Sequence, residues 1–98
     1  MSNAKILSIE ETLDCPVTAF PFSVRALNIL KNQDVQTMRD LVNTDAKVWL
    51  VTFKCDRKTL GEMVGLLKMM GFRMKNSDKV FTPEAIEGHV TAIYSSFA

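Results

Sequence analysis

The sequence has no glycine-rich phosphate loop, no nucleophile elbow and no zinc-ligand spacing. Those absences remove common signatures of nucleotide hydrolysis, acyl transfer and structural zinc. There is one histidine, His89, and there are two cysteines, Cys15 and Cys55, none close to another. Neither a metal site nor a disulfide framework is expected from that spacing. A Cys–His dyad would have to be assembled from distant positions without a local signature, so inert thiols are the expected state. No enzyme activity and no cofactor are expected. No apolar run approaches the roughly 18 residues that span a bilayer. No charged start leads into the apolar stretch of a secretory signal. A cytoplasmic protein with no membrane partner is therefore expected. Ser2-Asn3-Ala4 reads as a tag remnant without functional weight.

What is present is a core. The chain has 98 residues, 47% of them apolar, enough for one domain, 1–98, that folds without disulfide staples. The net charge of +1 conceals an uneven distribution. Residues 1–15 set Lys5 against Glu10, Glu11 and Asp14, and residues 77–98 set Lys79 against Asp78, Glu84 and Glu87. The middle, 16–76, carries ten Lys/Arg and five Asp/Glu, a net of +5. A basic middle between acidic ends is compatible with a nucleic-acid face. It is equally compatible with a solvated helical surface.

Helix signals recur along the sequence. Ser8-Ile-Glu-Glu11 has capping-box spacing, and Cys15-Pro16 and Pro21 keep 16–22 extended or turning. Ser23 caps a helix whose Val24, Leu27 and Leu30 recur at helical spacing to about Lys31. Residues 32–34 form a turn. Thr37 caps a short helix with Met38, Leu41 and Val42, and Thr44 or Asp45 caps another through Val48, Trp49, Leu50 and Val51. Val48–Phe53 has the composition of a buried strand, but its isolation among helices argues against one. Asp56 caps the clearest helix, with Leu60, Met63, Val64 and Leu67 as its apolar stripe and Gly71 just past its end. Leu66, Met69 and Met70 fall outside that stripe and imply a second buried face or a partner contact. Core filling is the more common use of such methionines, an adaptable surface the less common. Thr82 and Pro83 start a last helix that runs to about Tyr94, weakened by Gly88. The expectation is an all-α bundle of four to six short helices.

Three segments carry a family resemblance: "FPFSVRALNILK" (20–31), "VQTMRDLV" (35–42) and "KCDRKTLGEMVGLLKMMGFRM" (54–74). Through them, residues 16–76 resemble the C-terminal domain of the bacterial RNA polymerase alpha subunit. Ser-Val-Arg-x-x-Asn-x-Leu, Ser23 to Leu30, is the most specific piece. The resemblance implies a helix-hairpin-helix-like core, 16–76, followed by an added C-terminal helix in the extension 77–98. It further implies a bacterial transcription protein that docks in the minor groove of A/T-rich DNA. Its implied protein partners are the polymerase, a sigma factor or an activator. The family's arginine and asparagine of the first helix fall on Arg25 and Asn28, three apart and so on one helix face. The family loop Asn-x-Gly-Lys-Lys-Ser falls on Lys54 to Thr59, so Lys54, Arg57, Lys58 and Thr59 complete the implied DNA-binding set.

Two family glycines are replaced. One is Asp56, whose carboxylate competes for the backbone N–H groups a phosphate would use. The other is Arg39, which adds charge and is expected to strain a turn. The alternative to DNA binding is therefore a protein-interaction module that kept the fold and lost most DNA affinity. About fifteen residues precede the resemblance. A stand-alone regulator, a mobile-element protein or a mimic of the subunit is expected rather than the subunit itself. The extension 77–98 is expected to cap the core, with a dimer contact as its other possible role.

Overall fold

The first helix, α1 (Ile9–Leu13), opens with the capping box anticipated at Ser8 and Glu11. It belongs to a computed structural model that describes residues 8–97. The Ser2-Asn3-Ala4 segment and the Lys5 charge lie outside them. Cys15-Pro16 ends α1, and a 3-10 turn follows over Val17–Ala19. Pro16 forms an isolated bridge to Thr37, which brings this turn against the start of α3 (Met38–Asn43). Arg39 lies within α3, and its φ is not among the positive values of the described residues. The strain expected from replacing a glycine there is absent, because the position is ordinary helix. The Arg39 guanidinium instead reaches Glu10 at 2.7 Å and Asp14 at 3.2 Å, tying α1 to α3. Its charge is thereby answered within the fold.

Ser23, Thr37, Asp45 and Asp56 each cap the helix that follows, accepting from the backbone N–H groups of Ala26, Asp40, Lys47 and Thr59. They begin α2 (Val24–Asn32), α3, α4 (Ala46–Val51) and α5 (Arg57–Met69). Residues 46–51 are helical, so the strand alternative for 48–53 falls away. Trp49 is fully buried on α4, edge-on to Phe53 at 5.0 Å. Gly71, at φ 82°, ends α5. The Phe72 N–H reaches back to the Leu67 carbonyl at 2.8 Å, and the Gly71 N–H to that of Lys68 at 3.0 Å. Both bonds satisfy carbonyls that the helix end leaves open. One element escaped the sequence signals: α6 (Ser77–Val80), a single turn entered through Asn76 in the left-handed region at φ 59°. With α7 (Pro83–Phe97) there are seven described α-helices, one more than the expected upper number, and the architecture is all-α.

The core is one continuous cluster from Val17 to Phe81, with α5 at its centre. Eight of the thirteen α5 residues are buried, so the helix is covered on more than its apolar stripe. Met63 and Met74 are completely buried, and Met69 and Met70 pack against the core edge. Leu66 is buried too, which makes the second face internal. The element that covers it is α7, at two glycines. A methyl group on Gly61 would lie 2.1 Å from His89 Nε2. One on Gly65 would lie 3.1 Å from His89 Cβ and 3.2 Å from Ile93 Cδ1. Lys68 pairs with Glu87 beside this contact. The residues 83–97 therefore cap the core, as expected of the extension.

The helix glycines have opposite surroundings, and their substitutions should differ in sign. Gly61→Ala drives the methyl into the His89 ring and should destabilise by about 1–3 kcal/mol. Gly88→Ala meets nothing within 4 Å and should stabilise by up to about 1 kcal/mol through helix propensity. Urea denaturation of both variants against the parent measures this contrast.

Candidate nucleic-acid interface

Arg25 is the second residue of α2, and Asn28 follows one turn later; both are exposed. Ser23 holds this helix start in place from two directions. Its Oγ accepts from the Ala26 N–H at 3.1 Å and donates to Glu62 Oε2 of α5 at 3.1 Å. The start of α2 is thereby tied to the second turn of α5. Helix N-termini carry partial positive charge and unpaired N–H groups that favour an anionic ligand, and the Glu62 carboxylate held by Ser23 opposes one. Glu62 was not anticipated. Its spacing of four from Lys58 was the available signal, since residues so spaced share a helix face.

The six anticipated residues separate into two groups. Arg25, Asn28, Lys54 and Lys58 are exposed at or beside the starts of α2 and α5. Lys54 adopts φ 54°, the left-handed region that the family asparagine tolerates and a lysine does not favour. Arg57 and Thr59 are turned elsewhere. The Arg57 Nη2 donates to the Val80 carbonyl at 2.8 Å, and its guanidinium lies 5.0 Å from the centre of the Phe81 ring. Arg57 thus fastens the start of α5 to the segment leading into α7. Thr59 is 1% exposed, facing the core.

Asp56 closes the loop. Its carboxylate accepts from the Thr59 N–H at 3.1 Å, occupying a donor that an incoming phosphate would use. The Thr59 side chain, as first cause, holds this carboxyl below its usual range. The Thr59 N–H and the Arg25 charge act in the same direction. The influence of Arg25 places the α2 cation within electrostatic reach of the α5 cap. Cys55, just before it, is buried, and burial followed by the Asp56 charge pushes its thiol up to about 11. A thiol so raised is protonated at neutral pH and inert.

A groove of about 650 Å³ runs from this interface towards α7. Lys58, Glu62 and Leu66 of α5 form its floor, with Phe22 on one side and α7 on the other. Among the described residues no helix is long and apolar enough to cross a membrane.

Exposed Arg, Asn and Lys side chains at the starts of α2 and α5, set on a small helical core with Asp56 and Glu62 beside them, define a class of compact helical domain with a polar, charged end. Residues 3–69 match the C-terminal domain of the alpha subunit of bacterial RNA polymerase, and the protein belongs to that family. The DNA-directed RNA polymerase subunit alpha of Dehalococcoides mccartyi strain CBDB1 is 29% identical over 72 residues, covering 74% of this sequence and 22% of that protein. The same subunit of Corynebacterium glutamicum strain R is 28% identical over 74 residues, covering 76% and 22%. The sequence thus spans about a fifth of the length of these curated relatives. The helix α7 lies beyond the family match.

Two substitutions in the loop test its local physics. Lys54→Gly removes the left-handed penalty and should stabilise by about 1 kcal/mol. Asp56→Ala should cost about 1 kcal/mol at neutral pH through loss of the cap. The Asp56 folded-state pKa lies below its ordinary 3.8. The cap therefore contributes fully above that value and is lost as pH falls through the lower, folded-state one. The gap between Asp56→Ala and the parent should narrow in that acid range, as read by denaturation across pH.

Proposed function

We propose that this domain binds DNA, using the starts of α2 and α5 against the minor groove of A/T-rich duplex. The observation that carries this reading is the exposure of Arg25, Asn28, Lys54 and Lys58 around two helix N-termini, in a protein of this family. Narrow A/T-rich minor grooves concentrate negative potential and attract an inserted arginine. Asn28, on the same face of α2, reaches acceptors on sugar or base edges. Lys54 and Lys58 meet the phosphates. Arg57 acts through the position it gives the loop. Protein partners of the same setting are the polymerase, a sigma factor or an activator.

One observation favours a second reading. The Asp56 cap uses a loop N–H and sets a negative charge at the anion site. A domain so altered retains its fold while its DNA affinity falls, leaving a protein-interaction module.

Titration of a labelled A/T-rich duplex at about 50 and 200 mM salt separates the two. The DNA reading expects salt-sensitive binding. Arg25→Ala should weaken it by roughly 1–3 kcal/mol and flatten the salt slope by about one unit. Asp56→Gly should tighten it, because the carboxylate leaves and the N–H is freed. Absence of binding by the folded protein at the lower salt, in parent and Asp56→Gly alike, would overturn the DNA reading.

A further inference from the structure

Arg57 stands where the family loop carries a lysine, and a guanidinium can do what an ammonium cannot. It is planar, donates from several N–H groups and stacks on aromatic faces. Arg57 uses both abilities at once. Its Nη2 donates to the Val80 carbonyl at 2.8 Å, and its guanidinium carbon lies over the Phe81 ring, 5.0 Å from the centre. A lysine offers a compact point charge and no such two-sided fit. Phe81 is in turn backed from α7. The His89 ring meets it edge-on at 5.8 Å, and His89 itself sits over Gly61 of α5. The series Arg57, Phe81, His89, Gly61 is continuous, and its two middle members lie beyond the family match.

The charge of Arg57 survives this contact. Arg39, Lys68 and Arg73 are answered by carboxylates. A carbonyl and an aromatic ring detain a cation without cancelling its charge. Arg57 also stays exposed, at the first position of α5 and next to Lys58. Its hydrogen bond is to a neutral acceptor, and a bond to a phosphate is stronger. The guanidinium must nevertheless leave Val80 and Phe81 before it can reach one. A group that is free only part of the time lowers the apparent affinity by that fraction.

We propose that Arg57 is a phosphate contact held in reserve. The Val80–Phe81 segment, backed by α7 through His89, is an autoinhibitory latch that keeps the guanidinium off a bound nucleic acid. The latch rests on the DNA reading for its natural ligand. Loosening Phe81 delivers Arg57 to the backbone beside Lys58 and adds one phosphate contact. The effect is on affinity and salt dependence and not on base preference, because a phosphate contact carries no sequence information.

Phe81→Leu removes the aromatic face and keeps an apolar side chain in the core, with its folding checked by circular dichroism. His89→Ala, which removes the ring behind Phe81, is the second variant. Labelled A/T-rich duplex is titrated at about 50 and 200 mM salt. Elution from heparin, a sulfated polyanion without bases, is read alongside. Phe81→Leu should bind the duplex about threefold tighter or more, with a salt slope steeper by about one unit, and should leave heparin at higher salt. His89→Ala should move both readings the same way by less. Arg57→Ala alone should change the parent little, and Arg57→Ala combined with Phe81→Leu should lose the gain. A heparin shift without duplex binding would uphold the latch and overturn the DNA reading. Phe81→Leu and His89→Ala that hold both probes no more tightly than the parent would overturn the latch, whatever the parent does with DNA. So would a gain that survives Arg57→Ala. So would an Arg57→Ala loss equal to that of Lys58→Ala, since Arg57 would then already reach the ligand.

Discussion

The burial of α5 is the constraint on which the rest of the structure depends. Leu60, Met63 and Leu67 are withdrawn completely from solvent, and Leu66 nearly so on another side. Burying one such residue contributes about 1.5–3 kcal/mol of hydrophobic stabilisation, so the helix has little freedom to shift. The α7 approach at Gly61 and Gly65 fixes it from outside the family-matched segment, while α2 and α4 pack against it within that segment. The loop that begins α5 inherits this rigidity. Arg57 extends the same restraint by bonding the Val80 carbonyl and covering Phe81. The candidate interface is thus the polar end of the most buried element, and its precision comes from the core beneath it.

At that end, stability and anion binding compete for the same atoms. The Asp56 carboxylate satisfies the Thr59 N–H and favours the positive end of the α5 dipole. Both effects stabilise the helix, and both oppose an incoming phosphate. Arg25 lies close enough to lower the Asp56 pKa, so part of its field is answered within the protein. Arg39 repeats the pattern at a distance: its charge counts towards the basic middle of the sequence, yet Glu10 and Asp14 absorb it. The positive charge available to a ligand is smaller than the residue count suggests.

Much of the helical order was legible because its signals are local. Ser8, Ser23, Thr37, Asp45, Asp56 and Thr82 all cap where their sequence positions indicate. Gly71 ends α5 through its positive φ. The turn α6 was missed because one turn has no periodicity to read, and its entry rests on Asn76 in a left-handed conformation. Arg25, Asn28, Lys54 and Lys58 stand exposed as the resemblance implied. Thr59 is buried, and Arg57, though exposed, is turned to Val80 and Phe81, because the direction a residue takes at a helix start depends on its neighbours. Val80 and Phe81, which take Arg57, are more than twenty residues away in sequence.

The sequence by itself determined where helices begin and end, since caps, prolines and the apolar repeat act over three or four residues. It also carried the family, through Ser23 to Leu30 and the loop before α5. Tertiary structure decided which charges are free, which helix faces are covered and what α7 does. Those outcomes rest on contacts between distant segments: Arg39 with α1, Ser23 with Glu62, and His89 with Gly61. Local propensity has no term for them, because each exists only once the protein has folded around α5.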